Sequence, residues 1–489
     1  MKIEKFKIYH IIVLFLLVLV IHGCENKIKS VARSEELPVI YPDYQNVTIP
    51  SNISPLNFKV KDSSNKIIVE LKYKENKIKV SGNGKIDIPI KKWRKLLNES
   101  KGDSITVTVF EKKLNSWKQY KSFPIYVSNY EIDSHLVYRL IAPGYENWSK
   151  MGIYQRDLTD FKQKAVIENT LIPGSCVNCH SYRMNDPGKM MFHLRAPNGS
   201  TFIIDQDKIK SLDLRSDKLI ANCVYPYWHP SGNYIAFSVN KVSQAFHSSK
   251  EKRIEVIDSK SDIVVIDIIN DKIITSDLIT TDTEFETFPC FSPDGKYLYY
   301  TSAVKKEIPA EYNQIRYNLK RISFIPETGT FGNKTEMIIN ADSLGKSISF
   351  PRVSPDGRYL MFTMADYGNF TIWHKEADLY VLDLQEKKYY PLKEANSTDA
   401  ESYHSWSSDS RWFAFGSRRD DGLYTRPYIS FFDETGKQGK PFLIPQKDPD
   451  FYTSLLFSFN IPELVKGETN VNHLDVERKT LKGKPDKVH

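Results

Sequence analysis

The sequence predicts an all-β protein, a small N-terminal β-sandwich followed by a six-bladed β-propeller. Three observations predict it. Tyr (28) and Phe (26) are abundant, and aromatic side chains pack well on pleated faces. Residues 41–128 fall into short runs that alternate apolar and polar side chains. Beyond them, a strand–turn–strand segment recurs four times, its starts 63, 62 and 53 residues apart.

The chain opens with a different kind of segment. Lys2, Lys5 and Lys7 precede an almost wholly apolar run over residues 8–21. That is short for a membrane span of roughly 20 residues, and it has the length of a signal-peptide core. It ends in Ile21-His22-Gly23-Cys24, which resembles the bacterial lipobox. The resemblance implies cleavage before Cys24 and lipid on Cys24. It places the chain in the cell envelope, held on a membrane and facing the periplasm. Residues 1–23 are then a signal peptide and 24–40 a tether. The other reading is an uncleaved anchor helix, which leaves the rest of the chain on the same side. No later segment is apolar enough to span a bilayer.

The 489 residues are 40% hydrophobic and 26% charged, a composition that forms a core rather than a disordered chain. The formal charge is +8, and the signal peptide takes three lysines and one glutamate with it. No stripe of basic and aromatic residues suits nucleic acid. Residues 466–489 are locally basic and are expected to be a disordered tail.

In residues 41–128, runs such as KIIVELKY and SITVTVFEK keep the period of two that half-buried strands require. One helix is expected around Lys91 to Leu97. The style is immunoglobulin-like.

Four segments organise the remainder: Tyr225-Pro-Tyr-Trp-His-Pro-Ser-Gly, Phe288-Pro-Cys-Phe-Ser-Pro-Asp-Gly, Phe350-Pro-Arg-Val-Ser-Pro-Asp-Gly and Tyr403-His-Ser-Trp-Ser-Ser-Asp-Ser. In the Pro-Asp-Gly turns, Pro fixes φ and Gly permits a positive one. Repeats of this length with several strands each read as propeller blades. The wording resembles the TolB-like propeller repeat. Gly188 to Leu194 resembles half of the same motif, and Leu136 to Ile141 with Met151 to Leu158 reads as strands of a further blade. Six blades over residues 130–465 result. The stretch Ser454 to Asn460 is expected to supply the missing innermost strand and close the ring, which removes an exposed edge.

Cys176-Val177-Asn178-Cys179-His180 reads C-x-x-C-H, the attachment motif of c-type haem. Two thiols at this spacing reach the two vinyl groups of one porphyrin, and the adjacent imidazole serves as axial ligand. One covalent haem c is expected, with Cys176 and Cys179 binding it and His180 as proximal iron ligand. A local Cys176–Cys179 disulfide, a thioredoxin-like pair and half of a zinc site are the other readings of the motif. His193 and His404 are the candidate distal ligands, ahead of Met184, Met190 and Met191. The motif is laid with Cys176 where Tyr225 falls, so the haem is expected at one mouth of the central channel, beside the turn Ser181 to Pro187, with His404 facing the same opening. His229 reads as a turn residue. Arg418, Arg419 and Arg426 are candidate contacts to haem propionates or an anionic ligand, or parts of a structural blade turn laced with ion pairs. Cys223 and Cys290 read as buried free thiols, with a Cys223–Cys290 bridge as the other reading in an exported chain.

No nucleophile elbow, zinc-protease helix, phosphate loop or dinucleotide fingerprint is present, and no catalytic residue is assigned. The chain looks like the lipid-anchored TolB-like propellers with a haem motif found in Bacteroidetes. That resemblance implies a propeller with one c-type haem, and electron transfer or redox sensing is the function expected of such a group. A non-catalytic scaffold that binds an envelope protein or glycan is the alternative, and a haem enzyme such as a peroxidase a third reading. The redox or envelope partner is not specified by the sequence.

Overall fold

The computed structural model describes residues 31–489 apart from 115, 144–149, 196–198, 218 and 248–253. Cys24 and the apolar leader lie outside the described residues. The chain is mostly β and its architecture is propeller-like.

The N-terminal unit is built on Ser104–Lys113. This strand pairs with Lys66–Tyr73 on one side and with both Ser116–Gln119 and Phe123–Val127 on the other. Asn76–Asn83 continues the sheet beyond Lys66–Tyr73. Thr48–Ile49 and Val31–Arg33 add parallel edges, making seven strands. The expected second layer of a sandwich is reduced to a two-stranded ladder, Ile40–Tyr41 with Lys59–Val60, and a helix, Ile90–Glu99. The helix buries Trp93, Leu96 and Leu97, and the Trp93 indole donates to the Ile53 carbonyl at 2.9 Å. The tether expected over residues 24–40 is therefore ordered from Val31 onward, because Val31–Arg33 finds a free sheet edge at Ser116–Gln119.

Six further sheets follow. The second starts with Cys176–Tyr182, the third with Cys223–Trp228, the fourth with Glu284–Phe291, the fifth with Ser347–Val353 and the sixth with Glu401–Trp406. Each of these strands is the innermost of four, or of five in the second sheet. In the first sheet, His135–Ile141, Gly152–Asp157 and Gln163–Glu168 receive their innermost strand from the far end of the chain, Ser458–Val465. The six innermost strands touch their neighbours in a closed circle, with Ser458–Val465 between Glu401–Trp406 and Cys176–Tyr182.

The recurring turns are wired by side chains. In the fifth sheet the Ser354 hydroxyl donates to Asp356 at 2.6 Å and accepts from the Tyr359 amide at 2.9 Å, while Gly357 takes φ 75°. In the third sheet His229 stands in the serine's place, its Nδ1 2.8 Å from the Ser231 hydroxyl. It is a turn residue, as expected.

The tail is a correction. Asn472 caps a helix, His473–Lys482, that buries Val476 and Thr480. Asp486–Lys487 then adds a fifth strand beside Lys208–Asp213, and Val488 joins the core between the second and third sheets. The capping residue and an apolar side chain one turn in outweigh the solvated lysines around them.

Candidate functional site at the axial mouth

Every innermost strand carries one residue in the left-handed region: Cys179 (φ 51°), Tyr225 (49°), Phe288 (52°), Phe350 (53°), Tyr403 (48°) and Ile461 (52°). Such angles are uncommon for residues other than glycine. Each sits at a break in strand register, the mark of a β-bulge, which re-aims a side chain. Here the bulges turn aromatic rings toward one another. Ring centroids lie 4.5 Å apart for Tyr225–Phe288, 4.2 Å for Phe288–Phe350 and 4.7 Å for Phe350–Tyr403. The cluster plugs the axis.

These equivalences move the haem motif. Cys179, not Cys176, falls where Tyr225 falls, so the motif begins three residues ahead of the repeat's first aromatic position. Cys176 is half-buried, Cys179 is buried, and both are free thiols. Burial pushes the Cys176 thiol up, with Arg139 and Arg195 working against it.

Above the plug lies a cavity of about 430 Å³ whose wall includes Arg139, Asn178, Cys179, Arg195, Tyr225 and Tyr403. The Oδ1 atoms of Asn178 and Asn460 and the Nε of Arg139 there are buried without a hydrogen-bond partner. Arg139 and Arg195 were not singled out by the sequence. The available signal was one arginine inside an apolar strand, Leu136 to Ile141.

His180 occupies the next position, held by Pro226, Pro289, Pro351 and Pro462 in four of the other strands and by His404 in the remaining one. Its ring does not line the cavity. The side chain is wholly buried with Nε2 3.7 Å from Glu463 Oε2, and neither ring nitrogen makes a hydrogen bond of ordinary geometry. Burial, aided by Arg139, lowers its pKa to about 3, so the imidazole is neutral. Glu463 is held up to about 8 by burial, with Arg352 opposing.

The other candidates separate. His404 is buried in the same way, its pKa lowered to about 3 by burial and Arg352, and it is not on the cavity wall. His193 lies on the second strand of its sheet, opposite Asn178. Its Nδ1 is 2.8 Å from the Thr201 hydroxyl, and its Nε2 is bare. Met190 and Met191 are core residues. Met184 and Asn185 line a cavity with Arg352, Trp406 and Glu463 at the far ends of the innermost strands. The turn expected to help hold a haem is thus at the opposite mouth, because the innermost strand runs between it and the cysteines.

The three arginines expected at a ligand are occupied by main-chain carbonyls. Arg426 donates to Tyr452 at 2.7 Å, Phe457 at 2.8 Å and Leu455 at 2.9 Å. Arg419 reaches the Ala395 carbonyl and Glu401. Arg418 donates to the Ile372 and Gly422 carbonyls and lies 3.8 Å over the Trp373 ring. None of them lines the axial cavity. Cys223 and Cys290 are buried free thiols.

The thiols and the guanidinium groups beside them suit a c-type haem, while the neutral imidazole of His180 lies off the cavity wall, toward Glu463. Among the described residues no three His, Cys, Asp or Glu side chains gather as a metal cluster, and no helix is long and apolar enough to cross a membrane.

No family model matches the chain, and no curated protein matches it. Among solved structures it is similar to an oligogalacturonate lyase in complex with manganese, at 10% identity over 63% of this chain and 73% of that one, TM-score 0.37. It is also similar to the calcium-binding protein regucalcin from Agrobacterium tumefaciens, at 15% identity over 63% and 93%, TM-score 0.34. A third is the periplasmic gluconolactonase of Pseudomonas aeruginosa, at 12% identity over 64% and 97%, TM-score 0.31. At these identities the likeness concerns β architecture alone.

Proposed function

We propose that the chain is a cell-envelope lipoprotein anchored through Cys24, a six-bladed TolB-like propeller standing on a lopsided N-terminal β-sandwich. It carries one covalent haem c at the axial mouth and serves electron transfer or redox sensing. The observation that supports this most is the position of Cys176 and Cys179: free thiols on an innermost strand, beside a cavity bearing Arg139 and Arg195. Cys176 and Cys179 would hold the group by two thioethers and His180 by its bare imidazole. When bound, the group supplies a one-electron couple. The chain's own parts do the rest: guanidinium forks suit carboxylates, and the aromatic plug keeps water from passing along the axis. For a distal ligand, His193 and His404 both have a bare Nε2 and neither lines the axial cavity, so neither is preferred.

A second reading is a non-catalytic propeller that binds an envelope protein or glycan at the mouth. It is favoured by the ring of His180, which faces Glu463 rather than the cavity. One experiment separates the two. The precursor is co-expressed with a cytochrome c maturation system. The haem reading expects a red protein with a c-type α-band and the mass of one added haem, and a colourless product for Cys176→Ser with Cys179→Ser. A mass of polypeptide plus lipid alone rejects the haem and leaves the second reading.

A further inference from the structure

Beside the axial cavity, between the second and third sheets, lies a smaller cleft of about 220 Å³. One wall is apolar, made by Leu194, Leu212 and Leu214. His193 lines it, only 6% exposed. Its Nδ1 lies 2.8 Å from the Thr201 hydroxyl. Its Nε2 has no partner, and a buried polar atom left unpaired is unfavourable.

The charges in the cleft do not cancel. Asp213 is taken by Arg215 through two bonds, at 2.8 and 3.1 Å. Arg195 has no ion pair among the described residues and leaves one unbalanced positive charge at the rim. An imidazole with an unpartnered Nε2, a guanidinium without an ion pair among the described residues and an apolar wall together suit a ligand with one negative end and a short apolar body. At roughly 30 Å³ per water volume, the cleft has room for a molecule of benzoate size.

We propose that this cleft binds a small monocarboxylate, its carboxylate on Arg195 and the His193 Nε2–H and its apolar body against the leucine wall. The cleft shares Arg195 and Asn222 with the axial cavity, while His193 and the leucine wall line the cleft alone; the proposal does not need the haem reading.

The test titrates benzoate into the full-length mature chain at low ionic strength, followed by NMR of the histidine rings. Saturable binding that shifts the His193 signals is expected. Benzamide, similar in shape but uncharged, should bind at least tenfold more weakly. Arg195→Gln, at an exposed position, should weaken benzoate at least tenfold without changing the melting temperature, and His193→Gln should weaken it as well. No saturable binding at millimolar benzoate overturns the proposal. So does equal binding of benzamide, or full affinity in Arg195→Gln. The titration is repeated on Cys176→Ser with Cys179→Ser, which has no haem thiols: benzoate binding kept there separates this proposal from the haem reading, and binding lost there overturns it.

Discussion

His180 and His404 hold equivalent positions on either side of the first sheet, each directly after a left-handed residue and each where four other strands carry proline. The two imidazoles are buried alike, and neither makes an ordinary hydrogen bond. Only His180 follows a cysteine pair. His404→Pro should therefore be tolerated, and gain about 0.4–1 kcal/mol where the local φ suits proline. His180→Pro should fold but fail to give a low-spin iron spectrum. Thermal melts and absorption spectra check the pair. An unchanged spectrum in His180→Pro removes it as a ligand.

Cys24→Ala should leave an uncleaved precursor without lipid. The motive is the charged start and apolar run ending in Ile21-His22-Gly23-Cys24. Labelling with a radioactive fatty acid reads the result, and label retained in the variant places the acyl chain elsewhere.

Phe350 stands at the middle of the axial plug, 4.2 Å from Phe288 and 4.7 Å from Tyr403 by ring centroids. Phe350→Ala should cost about 3–5 kcal/mol, through lost burial and the cavity left behind. Urea unfolding measures it. A loss under about 1 kcal/mol would mean that the plug is not well packed.

Asp258 is buried and accepts from Asn240 at 2.9 Å and Tyr317 at 3.1 Å, and from Asn369. Burial raises its pKa to about 6 from 3.8, with these donors pulling the other way. Between those values the unfolded chain has released a proton that the folded chain keeps. Stability from this group therefore falls as pH rises from about 4 to about 6 and is level above. Asp258→Asn keeps an acceptor and removes the proton. Its stability profile, from urea melts at pH 4 to 7, should lose that fall, worth on the order of 2–3 kcal/mol.

Much of the ring was legible because it repeats. Side-chain-wired turns at Ser292 and Ser354 and the aromatic–proline steps at Tyr225, Phe288 and Phe350 are written in the chain. The placement of the cysteine motif was read three residues off, because Cys179 and His180 replace the aromatic and the proline that mark the register elsewhere. Only the backbone bulge reveals the equivalence. The arginines at Arg418, Arg419 and Arg426 drew attention by density, yet density does not tell a ligand fork from one bonded to carbonyls. Arg139 was hidden as one charge in an apolar strand. The C-terminal helix was missed because its buried face is a single valine and a threonine among lysines.

The first sheet's dependence on Ser458–Val465 puts the assembly in time order. A chain that emerges from its N-terminus has Cys176 and Cys179 in hand long before that closing strand arrives. In the interval the circle is open, and the strand bearing the thiols has no neighbour on one flank. An enzyme that modifies them can reach the pair then without passing the plug or the rim of the finished mouth. Ser458–Val465 then completes the circle, so under the proposed haem attachment a late segment would close over a step carried out near the chain's middle.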